Sequence, residues 1–116
     1  MKSTCIEAAR DIRHRSNCST KVGAVLERGG RILAVAYNSM GSRKLGNYIY
    51  SRHAESNLLN NIDASGSTVY VYREHAQTKQ PLLAKPCSKC YTRLVEAGVR
   101  TVFYTTSNGW QKERVL

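Results

Sequence analysis

The chain has 116 residues, of which 41% are hydrophobic and 22% are charged, a composition typical of a folded protein and not of a disordered segment. This length predicts one compact domain over residues 1–116. No apolar run approaches the roughly 18–20 residues of a membrane span, and the N-terminus is too polar for a signal peptide. The sequence therefore predicts an intracellular, cytoplasmic protein with no membrane partner.

The net charge is large for the size of the chain. Eighteen Lys and Arg against eight Asp and Glu leave +10, and the basic residues are spread along the sequence. Such an excess favours association with anions, so it indicates either nucleic acid or a phosphate-bearing nucleotide as the partner. The alternative interpretation is a basic surface that only keeps the protein soluble.

The first half of the chain predicts a helix, a hairpin, a loop and a second helix. Apolar residues recur at helical spacing over residues 3–15. Two β-branched, apolar segments, residues 21–26 and 31–37, flank a Gly-Gly pair and predict a β-hairpin. Residues 38–50 are rich in Gly, Ser and Asn and predict a loop, and residues 51–60 predict a helix that begins close to His53.

The second half alternates strands and helices. A strand is predicted over residues 68–72, a long loop over 73–85 and a helix over 86–97, which has Pro86 in its first turn and Gly98 after its end. A strand over 100–105, an Asn-Gly turn and a last short strand within 110–116 follow. This order predicts an α/β protein with a mixed sheet and helices packed on it.

Cys87 and Cys90 stand three residues apart at the start of the predicted helix. Side chains at this spacing share one helix face, and the helix N-terminus favours thiolates. The pair is therefore half of a candidate metal site. A redox dithiol, a structural disulfide and two ordinary helical cysteines are the alternatives for this motif alone.

His53 and Glu55 open the preceding helix, and His53 is the candidate third ligand. One nitrogen and two sulfurs would hold Zn²⁺ with the fourth position left to water, which is the catalytic pattern. A structural zinc would need a fourth protein ligand, but none of the remaining Cys and His residues has metal-ligand spacing to the other three. Those residues are Cys5, His14, Cys18 and His75.

The motifs, taken together in their order along the chain, resemble those of the zinc-dependent cytidine and deoxycytidylate deaminase superfamily. The chain is similar in this respect to the small members from phages and large viruses. The motifs are the hairpin that ends in Asn38, H-A-E at residues 53–55 and P-C-S-K-C at residues 86–90. The resemblance implies a cytidine-deaminase-like three-layer sandwich whose central mixed five-stranded sheet is flanked by helices, with an antiparallel fifth strand as in the free-nucleoside branch. It also implies a host-cytoplasmic location if a phage encodes the chain. Two departures stand out: residues 73–85 lengthen the approach to the cysteines, and Lys21 stands where the family often has Pro.

The resemblance implies hydrolytic deamination. His53, Cys87 and Cys90 would hold Zn²⁺, which activates water for attack on C4 of cytosine or C6 of adenine. Glu55 would take the proton from that water and deliver it to the ring nitrogen and then to the leaving amine. The alternative for Glu55 is an ordinary acidic residue at a helix start.

Substrate contacts are expected around this centre. The backbone amides of Ala54 and Ser88 would bind the base carbonyl, as in relatives. Asn38 would bind the sugar, or else is a turn residue at a strand end. Tyr48 and Tyr50, on the loop before His53, would stack on a base, and Arg52 would contact a phosphate. Six residues are thus candidates for substrate binding: Asn38, Ala54, Ser88, Tyr48, Tyr50 and Arg52.

Three functions remain open from the sequence. The first is deamination of cytosine to uracil in a cytidine- or deoxycytidylate-type nucleotide. The second is deamination of C or A within single-stranded DNA or RNA, which the charge of +10 favours and the short C-terminal region disfavours. The third is an inactive, zinc-stabilised nucleic-acid-binding module. Because relatives are commonly oligomeric, the resemblance also implies a homo-oligomer.

Overall fold

The computed structural model describes residues 3–16, 20–45, 48–52, 59, 62–75, 77–86 and 88–115, and for residues 39–45, 48–52 and 89 it describes the backbone. Within these ranges the chain forms two α-helices, a short 3-10 helix and seven strands. In chain order they are α1 (Ser3–Ile12), the 3-10 helix (Arg13–Arg15), β1 (Thr20–Arg28), β2 (Arg31–Tyr37), β3 (Ser39–Leu45), β4 (Tyr48–Arg52), β5 (Thr68–His75), α2 (Ser88–Glu96), β6 (Thr101–Thr106) and β7 (Gly109–Arg114).

Five strands form the central sheet in the order β2-β1-β5-β6-β7. Strands β5 and β6 are parallel, and the other three pairs are antiparallel. The crossover between the parallel strands contains α2, as a parallel connection requires. The predicted mixed sheet and its antiparallel last strand are therefore confirmed.

The hairpin between β1 and β2 forms where the Gly-Gly pair predicted it. Gly29 and Gly30 have φ of 61° and 84°, the left-handed pair that a tight hairpin turn needs and that glycine adopts without steric cost. The carboxylate of Glu27 accepts a hydrogen bond from the Gly30 amide at 2.8 Å. Local sequence alone is enough to fix this turn.

The alternation of side chains along β5 divides the core into two layers. Val69 and Val71 pack on one side of the sheet in the cluster that contains Leu94 of α2. Tyr70 and Tyr72 point to the other side and pack in the cluster that contains Ala9 of α1. Helices thus lie on both faces of the sheet, which confirms the three-layer α/β sandwich.

Gly23 allows α1 to lie close to β1. A Cβ atom at this position would stand 1.9 Å from the carbonyl oxygen of Ala9 and 2.8 Å from a methyl of Ile12. A glycine inside a strand often marks such an approach of another backbone. The absence of a side chain at residue 23 is therefore what sets the distance between this helix and the sheet.

The helix α2 begins and ends close to the predicted residues. Pro86 is buried just before it. Gly98 follows its end with φ of 82°, and the amide of Val99 donates to the carbonyl of Leu94 at 3.0 Å. This left-handed glycine after the last turn is a common helix stop.

The structure differs from the prediction in two segments. Residues 38–50 were expected to form a loop, but β3 and β4 pair there as an antiparallel hairpin whose register is interrupted between Met40 and Lys44. Strand β4 also continues to Arg52, so the predicted helix over 51–60 does not begin at residue 51; residues 53–58, 60 and 61 lie outside the described part.

The predicted loop over 73–85 begins later than expected, because β5 continues to His75. After β5 the chain turns back, and Glu74 forms an isolated antiparallel bridge with Pro81. The amide of Leu82 then donates to the carbonyl of Arg73 at 2.9 Å, and that of Ala84 donates to Thr105 at 2.8 Å. The segment that leads to α2 is therefore held along the ends of β5 and β6.

Among the described residues, no helix combines the length and the apolar character that crossing a membrane requires.

Candidate active site

Cys90 lies in the first turn of α2, on the side of the helix that faces the sheet. Its side chain is 3% exposed, and Leu94, one turn further on, is fully buried on the same side. Ser88, the first residue of the helix, is exposed. Because the backbone amides of a first helical turn carry partial positive charge, this position favours a thiolate at Cys90.

The other predicted catalytic residues lie outside the described part of the chain. These are His53, Ala54, Glu55 and Cys87. Within the part that is described, no three His, Cys, Asp or Glu side chains form a group that could hold a metal ion. Cys90 is therefore the one described member of the predicted zinc-binding set, and the ligand set as a whole stays a prediction.

Tyr48, Tyr50 and Arg52 occupy alternate positions of β4. The two tyrosines therefore belong to a strand and not to the predicted loop, and Arg52 belongs to the strand and not to the predicted helix. The backbone of Arg52 pairs with Ser39, the residue that directly follows Asn38. The end of β4, which leads to residue 53, therefore lies next to Asn38. The structure brings these two predicted regions together at the level of the backbone.

Asn38 directly follows β2, and its side-chain amide holds it against the first residues of β1. Its Oδ1 accepts hydrogen bonds from the Ser16 hydroxyl at 2.6 Å and from the Val22 amide at 2.9 Å. Its Nδ2 donates to the Thr20 carbonyl at 2.9 Å. Both lone-pair directions of the oxygen are thus used, and one amide hydrogen is left over after these contacts.

Asn38 can therefore meet a substrate only as a donor while these contacts last. The group that it would meet must accept a hydrogen bond, as a sugar hydroxyl or a phosphate oxygen does. The two roles that the sequence left open, turn residue and sugar contact, are compatible in this geometry. The first is visible in the contacts, and the second stays a prediction.

Ser16, before β1, and Lys21, within β1, support the position of Asn38. Ser16 is buried, and its carbonyl accepts a hydrogen bond from the Lys21 ammonium group. Lys21 is the residue that stands where the resembling family often has Pro. Its side chain ties the chain just before β1 to the strand itself.

A buried ion pair connects the 3-10 helix after α1 to β5. Nε of Arg13 lies 2.5 Å from Oε2 of Glu74, and the two side chains are 6% and 4% exposed. The Tyr72 hydroxyl donates to Oε1 of Glu74 at 2.9 Å, and the Arg13 guanidinium lies 5.4 Å from the centre of the Tyr72 ring. The cluster fixes the 3-10 helix that precedes Ser16.

The charge of Arg13 decides the ionisation of Glu74. Burial by itself would raise the pKa of this carboxyl, but the contacts from Arg13 and Tyr72 and the nearby positive charges outweigh it and hold the pKa below its ordinary value of 4.5. Burial and the hydrogen bond to Glu74 raise the pKa of Tyr72. The carboxylate is therefore charged and the phenol neutral near pH 7.

Sequence reasoning missed Ser16, Arg13 and Glu74. Ser16 lies in a polar segment that resembles solvent-exposed chain, and no local pattern marks it. Glu74 does carry a signal, because Tyr70, Tyr72 and Glu74 continue one face of the β5 alternation. That signal indicates a carboxylate at the edge of a core layer.

The comparisons with known proteins agree with this fold. The model of the family described as the cytidine and deoxycytidylate deaminase zinc-binding region matches residues 1–106, and the chain belongs to this family. The structure is similar to that of dCMP deaminase from the cyanophage S-TIM5 in apo form, with a TM-score of 0.66 and 26% identity over 91% of this chain and 86% of that one.

Two further solved structures are similar. The same phage enzyme in complex with dCMP and dUMP gives a TM-score of 0.63 at 27% identity, covering 91% of this chain and 84% of that one. Cytidine deaminase from Mycobacterium leprae has a TM-score of 0.63 at 21% identity, covering 94% of this chain and 90% of that one. It shares the fold. No curated protein matches the sequence. The protein is thus an enzyme of the cytidine and dCMP deaminase type.

Proposed function

We propose that the protein catalyses zinc-dependent hydrolytic deamination of cytosine to uracil in a cytidine- or deoxycytidylate-type nucleotide. The proposal treats residues 1–106, which match the family, and the strand β7 that follows as one catalytic domain over residues 1–116. The observation that carries it is the buried Cys90 in the first turn of α2, in a chain whose relative from cyanophage S-TIM5 has been solved with dCMP and dUMP.

His53, Cys87 and Cys90 would hold the zinc ion. The donor set fits, because imidazole nitrogen and cysteine sulfur are preferred zinc ligands and three protein ligands are typical of catalytic sites. The position of Cys90 in the first turn of α2 fits a thiolate ligand, because the backbone amides at a helix N-terminus favour the anion. When bound, Zn²⁺ acts as a Lewis acid and lowers the pKa of a coordinated water toward neutrality.

Glu55 would carry the proton transfers. Water adds at C4 of cytosine and the exocyclic amine leaves as ammonia, so a proton must pass from the water to the ring nitrogen and to the leaving group. A single carboxylate can accept and then donate within one turnover, which is the general acid and base role. The amides of Ala54 and Ser88 would bind the base carbonyl.

The remaining predicted contacts concern the sugar and the phosphate. Asn38 would donate its remaining amide hydrogen to a sugar oxygen, since its other amide groups are engaged by Ser16, Val22 and Thr20. Three residues of β4, the last of which stands beside Asn38, would contact the base and the phosphate. They are Tyr48, Tyr50 and Arg52.

A second candidate is deamination of C or A within single-stranded DNA or RNA. The net charge of +10 supports it, because a polyanion gains more than a mononucleotide from a basic surface. A third candidate, a zinc-stabilised nucleic-acid-binding module with no activity, differs from both in that Glu55 would be dispensable.

The test compares substrates and variants side by side. Ammonia release is measured from dCMP, cytidine and single-stranded oligonucleotides with the zinc-loaded protein and with Glu55→Gln. We expect turnover of dCMP that the substitution abolishes, with zinc content and melting temperature unchanged. Turnover of oligonucleotides alone would replace the first candidate by the second, and absence of any turnover would support the third.

Zinc binding has its own test. Cys90→Ser should lower the zinc content measured by atomic absorption from about one ion per chain to far below one, whereas Cys5→Ser, a change of the buried cysteine in α1, should leave it unchanged. Equal zinc content in Cys90→Ser and the wild type would contradict the ligand assignment.

A further inference from the structure

The last strand presents two different faces. Trp110, Lys112 and Arg114 alternate onto one side of β7, and Gln111 and Glu113 onto the other. The register pairs Lys112 with Phe103 of β6, so these two residues share a face. Aromatic and cationic residues therefore collect on one side of this sheet edge, and the acidic residue of the strand is turned away.

The acidic residue is engaged on the opposite side. Oε1 of Glu113 lies 3.4 Å from Nζ of Lys85, the residue just before Pro86. Lys112 and Arg114 lie on the other side of the strand and are both exposed. We call the surface formed by Phe103, Trp110, Lys112 and Arg114 the aromatic–basic face.

The aromatic rings of this face pack on one another and on a buried tyrosine ring. Tyr70 is 2% exposed and stacks on Phe103, with ring centres 4.9 Å apart and planes inclined by 18°. Trp110 meets Tyr70 edge-on and Tyr72 at a tilt, both at 6.3 Å. Phe103 and Trp110 themselves remain partly exposed, so rigid aromatic surface stays accessible.

Positive charge lies beside the rings. The Lys112 ammonium group is 6.0 Å from the centre of the Phe103 ring. The helix α2, with Cys90, packs on the opposite face of the sheet through Leu94. The aromatic–basic face is therefore separate from the candidate active site.

We propose that the aromatic–basic face binds single-stranded nucleic acid, with bases stacked on Trp110 and Phe103 and phosphates at Lys112 and Arg114. Aromatic rings interleaved with cations are the recurring chemistry of single-strand binding, since every base offers a π-face and every nucleotide a phosphate. This proposal is independent of the deamination proposal, because it uses another face of the sheet.

A second copy of the chain is the competing occupant, and charge disfavours it. Two copies related by a two-fold axis would bring Lys112 and Arg114 of each near the same cations of the other, and like charges across an interface are unfavourable. Pairing along the edge of β7 is opposed by its charged residues, which is how exposed sheet edges avoid association.

Trp110 makes the proposal directly measurable. It is the only tryptophan of the chain, so intrinsic tryptophan fluorescence reports this face alone. The zinc-loaded protein is titrated with an oligothymidylate and, in parallel, with an abasic oligonucleotide of equal length and phosphate number. We expect saturable quenching by the oligothymidylate and little by the abasic strand. Equal responses to both strands would overturn the stacking on Trp110.

The cations are tested by salt dependence. Fluorescence anisotropy of a labelled oligothymidylate is followed against salt for the wild type and for the double variant Lys112→Gln, Arg114→Gln. Each phosphate contact contributes about 0.7 to the slope of log K against log salt for single strands, so the slope should fall by about 1.4. The matched control is Arg93→Gln, an exposed position of α2 on the opposite face, which should leave the slope unchanged.

The rings are tested by Phe103→Leu and Trp110→Leu, which keep apolar bulk but remove the π-surface. Each should weaken oligothymidylate binding about tenfold, in line with the stacking of one base, while binding of the abasic strand changes little. If Trp110→Leu does not fold, Phe103→Leu and the lysine–arginine double variant carry the test.

Three outcomes would overturn the proposal. They are an unchanged salt slope in the double variant, an equal loss in Arg93→Gln, and sedimentation that shows self-association which the double variant abolishes. Turnover of dCMP is measured on the same samples and should be equal in the wild type and the double variant. Failure of the aromatic–basic face is thereby distinguished from failure of the deaminase proposal.

Discussion

The buried pair of Arg13 and Glu74 offers a prediction whose magnitude can be worked from the structure. Glu74→Gln keeps an oxygen that can accept from the Tyr72 hydroxyl, now at 2.9 Å, and changes the volume little. It removes the negative charge 2.5 Å from Nε of Arg13, in a place where both side chains are at least 94% buried. The variant therefore leaves a buried guanidinium without its counter-charge.

Removing one partner of a buried pair costs about 3–5 kcal/mol, because the remaining charge stays desolvated and uncompensated. We take about 3 kcal/mol, since glutamine still offers a dipole to Arg13. An unfolding entropy of about 2.1 cal/mol/K per residue over 116 residues converts this loss into a fall of about 12 °C in melting temperature.

The assay is urea unfolding of the zinc-loaded protein at pH 7, followed by circular dichroism and compared with thermal melting. The matched control is Glu113→Gln, which removes the other member of a partly exposed pair with Lys85 and should cost less than about 1 kcal/mol. The double variant Arg13→Met, Glu74→Gln should be more stable than Glu74→Gln alone, because the uncompensated charge is gone.

The pH dependence provides a second check on the same pair. Because folding lowers the pKa of Glu74 from its ordinary value of 4.5, its charge stabilises the protein above that pH, and this contribution is lost as the pH falls through the lower pKa of the folded state. The difference in unfolding free energy between wild type and Glu74→Gln should shrink below pH 4.5. Equal stability of the two proteins at pH 7, or a difference that grows in acid, would refute the buried pair as a stabilising contact.

Three further changes test the fold around the site. Gly23→Ala should cost about 3 kcal/mol of unfolding free energy, because its Cβ would stand 1.9 Å from the Ala9 carbonyl oxygen; urea unfolding measures this, and a loss below about 1 kcal/mol would contradict the close approach. Asn38→Ala should lower the unfolding free energy by about 2–3 kcal/mol, because three hydrogen bonds are lost, and it should raise the KM for dCMP. The control Ser16→Ala removes one of these hydrogen bonds and should leave KM nearly unchanged. Equal KM effects of the two variants would argue against a substrate contact by Asn38. Gly98→Ala should cost about 1 kcal/mol, measured by thermal melting, because φ is 82° there.

The elements that the sequence predicted well are those set by nearby residues. The Gly-Gly turn at 29–30 fixes the hairpin, and Pro86 and Gly98 bound α2 within two residues of the predicted ends. The helix over 3–15 is also confirmed as α1 and the 3-10 helix that continues it. In each case the determining chemistry is a φ angle, a missing N–H group or a local apolar spacing.

The elements that the sequence missed depend on distant partners. Strand β3 contains few strong strand formers and pairs with β4 across a register shift, so its stabilisation comes from cross-strand contact and not from propensity. Glu74 is polar and resembles the start of a loop, but Arg13, far away in the chain, makes its burial favourable. The alternation along β5 indicates the face of Glu74, but no local pattern identifies Arg13 as its partner.

In the candidate site, too, the sequence predicted the features set by nearby residues and missed a contact between distant ones. The spacing of the motifs predicted Cys90 at a helix N-terminus, and the structure has it buried in the first turn of α2. Asn38 was predicted as a strand-end residue, but its contact with Ser16 was not, because the two lie on opposite sides of β1 in the sequence. The convergence of His53, Glu55 and Cys87 on Cys90 stays a prediction from the motifs.

The most direct test of the proposed function is the conversion of dCMP by zinc-loaded wild type and zinc-loaded Glu55→Gln, matched for zinc content and melting temperature. Product nucleotide and ammonia are measured together, since hydrolysis releases one of each. We predict conversion to dUMP with equal ammonia by the wild type, and a loss of at least about a hundredfold in the variant. Undiminished conversion by Glu55→Gln, or none by the zinc-loaded wild type, would contradict it.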